Sequence, residues 1–412
     1  MTKKTATRES YPRPTIIGSY DDLPSNVPIG ERIGHDYHEK EVEHVFRRSW
    51  LLIGHAGDVS EPGKFFVIDI PTFKASVIVT RDKSGKLHAF HNVCRHRGNR
   101  LVQTENGETQ GKGSRFTCGF HGWTYANDGC LIGVPEEVMF PEFDKSCFGL
   151  VPVHVADWGG LIFAYFGDEP HVSLAEWMGE LSDGFDNYFG DMVRIGALQA
   201  ELDCNWNIAL DAFSEGYHAA FLHRNTVLNF FPPSTDASAA PVAIMPTVEL
   251  FERHQRVVTG AMDQETSLYT EHLFARHGRR LAPFAETDFS HIPAGVNPRR
   301  VSPWAFDDIK LFPHTAILAQ PHWSATLTMW PDGATKTRFL LNVYAKPARH
   351  AGDLLNQAYW RTVVYHTTLE DLSTVEAADS ALRSGVVNTM PLSLHELPLQ
   401  KRYQVAAEMI AG

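Results

Sequence analysis

The chain has few cysteines, no long apolar run and no excess of positive charge, and each shortage removes a class of function. Five cysteines in 412 residues, irregularly spaced, cannot staple a chain of this length, which argues against a secreted disulfide scaffold and for a reducing cytoplasm. The most apolar stretch, Phe148 to Phe166, is interrupted by Pro152, His154, Asp157, Gly159 and Gly160, whereas a membrane-spanning helix needs about 20 mostly apolar residues. The stretch Met1 to Ser10 is polar and charged with no apolar core behind it, so no signal peptide is expected. Lys and Arg number 37 against 49 acidic residues, a net charge of −12, and binding DNA or RNA usually takes a dense basic surface. Neither a membrane nor a nucleic acid is an expected partner.

What is present is an ordinary globular composition, 43% apolar and 21% charged, with room for two or three domains at roughly 150 residues each. Between Phe65 and Phe166 short β-rich runs at 65–70, 75–80, 87–93 and 161–166 alternate with turn chemistry, and Asp82 to Lys86 reads as a hairpin loop. This part is expected to be all-β. Upstream, Glu39 to Trp50 places Val42, Val45 and Phe46 at helical spacing. Downstream, a helical stretch covers 205–223, a polar loop Pro232 to Pro241, and strands 315–320, 323–330 and 336–345, the last two joined by a turn at Pro331 to Ala334. A long helix is expected over about Leu354 to Ser384, and 259–303 reads as long surface loops. The second half is therefore α+β, an antiparallel sheet with a long C-terminal helix.

Two loops of the β-rich part carry one thiol and one imidazole each: Cys94-Arg-His96 and Cys118-Gly-Phe-His121. With 5 Cys and 21 His in 412 positions, about 0.25 such pairs are expected by chance at any one offset. A structural zinc would accept these four donors. Zinc fingers, however, generally pair like with like, and the mixed pairs suit a [2Fe-2S] cluster with Cys94 and Cys118 on one iron and His96 and His121 on the other. Gly98, Gly119 and Gly122 permit tight turns there, and Trp123 is placed to shield the cluster from water. His218 and His223 form a second group. Five residues turn an ideal helix by about 500°, leaving their side chains roughly 140° apart, so both reach one metal only if the helix ends or distorts. Ferrous iron in O2-activating enzymes is commonly held by two His and one carboxylate.

From about Glu43 to Arg383 the chain resembles the large (alpha) subunits of Rieske non-haem iron oxygenases of the aromatic ring-hydroxylating type. The resemblance is strongest over Arg81 to Gly98, Cys118-Gly-Phe-His-Gly-Trp-Thr-Tyr125, Asp128-Gly129 and Pro135. It implies a Rieske domain at 46–166 and a helix-grip catalytic domain built from 1–45 and 167–412. The 21 positions between the ligand pairs are slightly more than is usual, which suggests an extended loop at Glu105 to Lys112. Further implications are a carboxylate ligand at the start of the C-terminal helix, for which Leu369-Glu370-Asp371-Leu372 with Glu376 points to Asp371 and keeps Glu370 as the alternative, and a bridging role for Glu215. In the implied head-to-tail homotrimer, with or without a small beta subunit, Glu215 would accept a hydrogen bond from His121 of the neighbouring subunit. Ala212 stands where the family often has Asn, so any part that Asn plays near iron is missing.

The resemblance also implies a terminal oxygenase with a [2Fe-2S] cluster and Fe2+, using O2 and hydroxylating an aromatic or similarly apolar compound. Gly111-Lys-Gly113 lacks the third glycine and the strand-to-helix setting of a dinucleotide site, so electrons would come from a separate NAD(P)H-dependent flavin reductase, directly or through a ferredoxin. Phe213, Phe221, Leu222, Leu228, Phe230 and Phe231 suit an apolar pocket and suit a core equally well. Ring dihydroxylation and monooxygenation ending in N- or O-dealkylation need the same metals. A non-enzymatic electron carrier fused to a ligand-binding domain and a structural zinc protein are the readings of other classes.

Overall fold

The computed structural model describes residues 13–223, 246–260, 289–290, 292–302, 304–320 and 322–412. The chain divides into two compact units, one made of 39–192 with 330–333 and the other of 1–38, 193–329 and 334–412.

In the first unit a seven-stranded antiparallel sheet contains β1 (Trp50–His55), β2 (Lys64–Ile70), β3 (Ala75–Arg81), β4 (Leu87–His91), β5 (Glu108–Lys112), and, after three short strands, β9 (Pro152–Trp158) and β10 (Leu161–Tyr165), in the order β1-β10-β9-β4-β3-β2-β5. The short strands β6 (Arg115–Thr117), β7 (Thr124–Ala126) and β8 (Leu131–Gly133) form a separate sheet. The expected all-β architecture is present. The compact unit includes 167–192: Trp158 Nε1 donates to Leu181 O at 2.9 Å, and Phe185 and Phe189 pack on the Trp158 ring. The segment after β10 thus shares the core of this unit. The expected amphipathic helix over 39–50 is instead an α turn (His35–Lys40), a π turn (Glu41–Val45) and a 3-10 turn (Phe46–Arg48), which still bury Val45 and Phe46. The extra residues between the ligand pairs form more than a loop: β5 pairs with β2 over Lys64–Ile68 and adds an edge strand to the sheet.

The second unit holds β11 (Val193–Leu202), β12 (Thr247–Leu250), β13 (Gln255–Gly260), β14 (Trp304–Leu311), β15 (Thr315–Ala319), β16 (Trp323–Pro331) and β17 (Thr337–Ala345). They follow the order β12-β13-β14-β15-β16-β17-β11, with Thr15–Ile17 added in parallel outside β12. The expected helix over 205–223 is two short helices, α1 (Trp206–Asp211) and α2 (Ala219–Leu222), separated by a turn. The long helix is α3 (Ala351–Leu382), and α4 (Leu397–Ala411) follows it, so the long helix is not the last element. Among the described residues no helix is long and apolar enough to cross a membrane. The Pro232 to Pro241 loop and most of 259–303 lie outside the described residues.

Helix α3 buries Trp360, Val364, Thr368, Asp371, Leu372, Val375 and Asp379, a stripe at three- and four-residue spacing that marks the face of a helix packed on a core. Asp371 therefore lies in the packed stripe, two-thirds of the way along the helix instead of at its start. Lower on the same stripe, Asp379 Oδ1 accepts the backbone N–H of Asn205 at 2.9 Å, while Asn205 caps α1 through Asn207 N and donates to Ala334 O. Glu376, the other acid of the motif, accepts from Asp203 N at 2.9 Å. Both carboxylates of this lower turn pin the entry to α1.

Arg383 is the ion-pair partner of Asp379, at 2.5 Å with the carboxylate 3% exposed. Replacing Asp379 by Ala leaves the Asn205 N–H without its acceptor and the guanidinium with only the carbonyls of Ile33 and Ala334, and is expected to cost about 2–3 kcal/mol. Chemical denaturation measures it, and an unchanged midpoint would show that this contact does not hold α3 to α1.

Candidate metal centres

In the first unit the two Cys/His loops share one backbone design. Gly98 N donates to Cys94 O and Gly122 N to Cys118 O, both at 3.0 Å, while Cys94 N donates to Asn99 O and Cys118 N to Trp123 O, both at 2.8 Å. Each loop closes through a glycine at φ +73°, a left-handed turn that a side chain would strain. Gly119, expected to act likewise, has no positive φ. Both thiols are buried in a cluster with Phe90, Trp123, Tyr125, Leu131 and Leu150. Burial pushes the Cys118 thiol up, but the N–H groups of Phe120 and His121, Cys94 and the Asn99 amide hold it below the ordinary value. Tyr125 Oη accepts from Arg95 N at 3.0 Å and lies 3.4 Å from Cys94 Sγ, so the phenolic proton is free to point at that sulfur.

The imidazoles lie side by side. His96 and His121 are 4.6 Å apart at 72°, and His96 stacks on Trp123 at 4.9 Å and 8°. His96 Nδ1 is buried without a hydrogen-bond partner, and burial lowers the pKa of this ring. A neutral imidazole with an unused buried nitrogen is what a metal ligand requires. Two thiols surrounded by donors and two imidazoles fit the four-ligand requirement of a [2Fe-2S] cluster.

In the second unit His218 and His223 flank α2, one at each cap. The helix ends between them, which brings together two rings that a continuous helix would point apart. His218 Nε2 and His223 Nε2 are 3.2 Å apart, and Asp371 Oδ1 lies 3.3 and 3.1 Å from them. Asp371 Oδ1 is buried, yet it takes a well-aligned hydrogen bond from neither ring. Three donor atoms at this spacing fit one cation with bonds of about 2.1 Å, and all three ligand atoms lie within 4.8 Å of one another. Burial opposes protonation of His218, but the negative charges of Asp371 and Glu215, with the hydrogen bond to Glu215, override it and lift the pKa to about 10.

Glu215 Oε1 is 2.5 Å from His218 Nδ1, and its other oxygen accepts the backbone N–H groups of Tyr217 and His218. In this single chain, therefore, Glu215 closes the turn before α2 and holds the His218 ring. Glu370 lies outside the triangle, with Oε2 2.8 Å from His223 Nδ1. Of the residues proposed for an apolar pocket, Phe213 stacks on Phe339 at 5.6 Å, Leu222 is half-buried and Phe221 is 61% exposed. Leu228, Phe230 and Phe231 lie outside the described residues.

Two supports escaped the sequence reading. Lys310 Nζ donates to Phe213 O and to Asp308; burial raises the Asp308 pKa and lowers that of Lys310. The charges at positions 307, 308 and 310 of a largely buried strand were the available signal. Asp211, ending α1, is held by Arg402 and Tyr403 of α4, a pairing across 191 residues that no local pattern announces.

Residues 189–412 match the ring hydroxylating alpha subunit (catalytic domain) family, and residues 49–144 match the Rieske [2Fe-2S] domain. The chain belongs to the ring-hydroxylating alpha subunit family. Family relatives include the biphenyl 2,3-dioxygenase alpha subunit of Rhodococcus jostii (strain RHA1), 34% identical over 209 residues, covering 49% of this chain and 44% of that protein. Another is the glycine betaine monooxygenase oxygenase subunit of Chromohalobacter salexigens, 32% identical over 184 residues, covering 44% and 40%. The aligned part thus spans under half the length of either relative. The fold resembles naphthalene 1,2-dioxygenase from Rhodococcus sp. bound to indole, with a TM-score of 0.70, 21% identity and 94% of each chain covered.

Two predictions follow from the geometry. Asp371→Ala is expected to lose the mononuclear metal and keep the cluster, seen as a drop of about one iron per chain with unchanged labile sulfide; retention of all iron would place the carboxylate ligand elsewhere. Tyr125→Phe removes a hydrogen bond to Cys94 that is stronger in the reduced, more negative cluster; a difference of about 1 kcal/mol between the two oxidation states corresponds to a cluster potential about 40 mV more negative. Voltammetry checks it.

Proposed function

We propose that the chain is the terminal oxygenase component of an electron-transfer system, using O2 to hydroxylate an aromatic or similarly apolar small molecule. The observation that carries this reading is the triangle of His218 Nε2, His223 Nε2 and Asp371 Oδ1 in a chain that also carries the mixed Cys/His loops. Cys94, Cys118, His96 and His121 would hold a cluster that supplies single electrons, and His218, His223 and Asp371 an Fe2+ at which O2 is activated. The electrons would come from an NAD(P)H-dependent flavin reductase, directly or through a ferredoxin, and the cytoplasm is the compartment that suits five free thiols.

The protein's own groups prepare these sites in three ways. Glu215, at 2.5 Å, keeps the proton of His218 on Nδ1 and leaves Nε2 to the metal. Burial of Asp371, 6% exposed, excludes water from its carboxylate and strengthens its pull on a cation. The Phe213–Phe339 stack supplies apolar wall beside the turn that carries Glu215. Within a head-to-tail homotrimer, with or without a beta subunit, Glu215 would also accept a hydrogen bond from His121 of a second copy and so link the two centres. A second reading, monooxygenation that ends in N- or O-dealkylation, is supported by the glycine betaine monooxygenase relative.

Incubation with a surrogate reductase, candidate substrates and 18O2 separates the readings. Two labelled atoms in one product mark dihydroxylation; dealkylation leaves the retained amine or alcohol without new oxygen and puts one labelled atom in the released aldehyde, trapped by reduction before it exchanges with water. A hydroxylated product or a promptly trapped aldehyde without label from O2 contradicts both. For the bridge, Glu215→Gln is expected to retain both metals and to slow cluster reoxidation about 10- to 100-fold in single turnover with substrate and O2. Reoxidation at the parent rate would remove Glu215 from the electron route.

A further inference from the structure

We infer that Glu370 is the positioning residue that fixes His223 for the metal, a role that rests on the proposed function of the triangle as a metal site. Glu370 and Asp371 are consecutive on α3, so their side chains leave the helix about 100° apart. They meet the same imidazole at its two ends: Glu370 Oε2 is 2.8 Å from His223 Nδ1, and Asp371 Oδ1 is 3.1 Å from Nε2. An ionised carboxylate only accepts hydrogen bonds. Glu370 therefore keeps the imidazole proton on Nδ1, leaves the lone pair on Nε2 and sets the rotation of the ring.

The two glutamates that face the ligand rings do so by different means. Glu215 is three residues before His218 and is itself held by the backbone N–H groups of Tyr217 and His218, in the turn before α2. Glu370 reaches His223 from 147 residues away. Helix α2 has only four residues, too few to be stable by itself, so the ring at its C-terminal end takes its orientation from α3. Glu370 is thus no substitute ligand. It turns an adjacent pair of acids into one ligand and one clamp.

The test uses the cluster-loaded protein, stripped of mononuclear metal with a chelator and titrated anaerobically with Co2+ alone. Glu370→Ala is expected to weaken Co2+ binding about 10- to 100-fold with the cluster absorbance unchanged. Glu370→Gln, whose amide oxygen still accepts from Nδ1, should recover most of that loss. In the Co2+ form, proton NMR should show two exchangeable, paramagnetically shifted imidazole N–H signals; Glu370→Ala should lose one or speed its exchange and leave the other. Co2+ affinity within threefold of the parent, or both signals intact in Glu370→Ala, overturns the inference. So does an abolition of binding in Glu370→Gln equal to that in Asp371→Ala, which would make Glu370 a ligand. Undiminished binding in Asp371→Ala would instead overturn the metal triangle itself, and the inference with it.

Discussion

Two imidazole nitrogens and a carboxylate oxygen are held within 3.1–3.3 Å of one another in the second unit, and the architecture around them follows from that constraint. Lone pairs at this separation repel unless positive charge lies between them, so the chain has to hold them together by other means. Helix α1 is anchored at its start by Asp379 and Glu376 of α3 and at its end by Arg402 and Tyr403 of α4. The turn after it is fixed by Lys310, whose ammonium donates to Phe213 O. Asp371 needs no anchor of its own, because it occupies a place in the stripe that packs α3 onto the core. Packing energy along the helix thus sets the position of one charged atom.

The first unit solves a related problem with smaller means. Two loops of matching backbone geometry present their thiols inward, and left-handed turns at Gly98 and Gly122 close them. Donors from Phe120, His121 and Asn99 face the Cys118 sulfur and favour negative charge on it, whereas burial pushes the Cys94 thiol up despite Tyr125; around them lies an apolar cluster of Trp123 with Phe140, Phe143 and Phe148. Hydrogen bonds to the sulfurs are among the main controls on the potential of such a cluster.

Much of this is written locally in the sequence. Paired Cys and His at short offsets identify the loops, the alternation of β-branched residues gives the strands, and the 140° argument at His218 and His223 anticipates the helix end between them. The rest depends on distant partners. The resemblance alone favours Asp371 over Glu370, and the two ends of the ring they share separate them by geometry. The Asp211 tie to α4 spans 191 residues and leaves no periodic trace. The extent of the first unit is hidden for a similar reason: Leu181, Phe185 and Phe189 join it through the distant Trp158. The segment 105–112 reads as a loop because its residues are polar, and it becomes an edge strand because β2 offers an open row of backbone groups.

The central claim is that one chain builds two iron sites of different chemistry. Mössbauer spectroscopy of protein grown with 57Fe tests it most directly. The account predicts iron in a ratio of about 2:1, a sulfur-ligated pair with inequivalent irons and a separate high-spin ferrous component, the latter lost in Asp371→Ala. A spectrum with cluster iron alone in fully metallated parent protein, or with the ferrous component undiminished in Asp371→Ala, would contradict it.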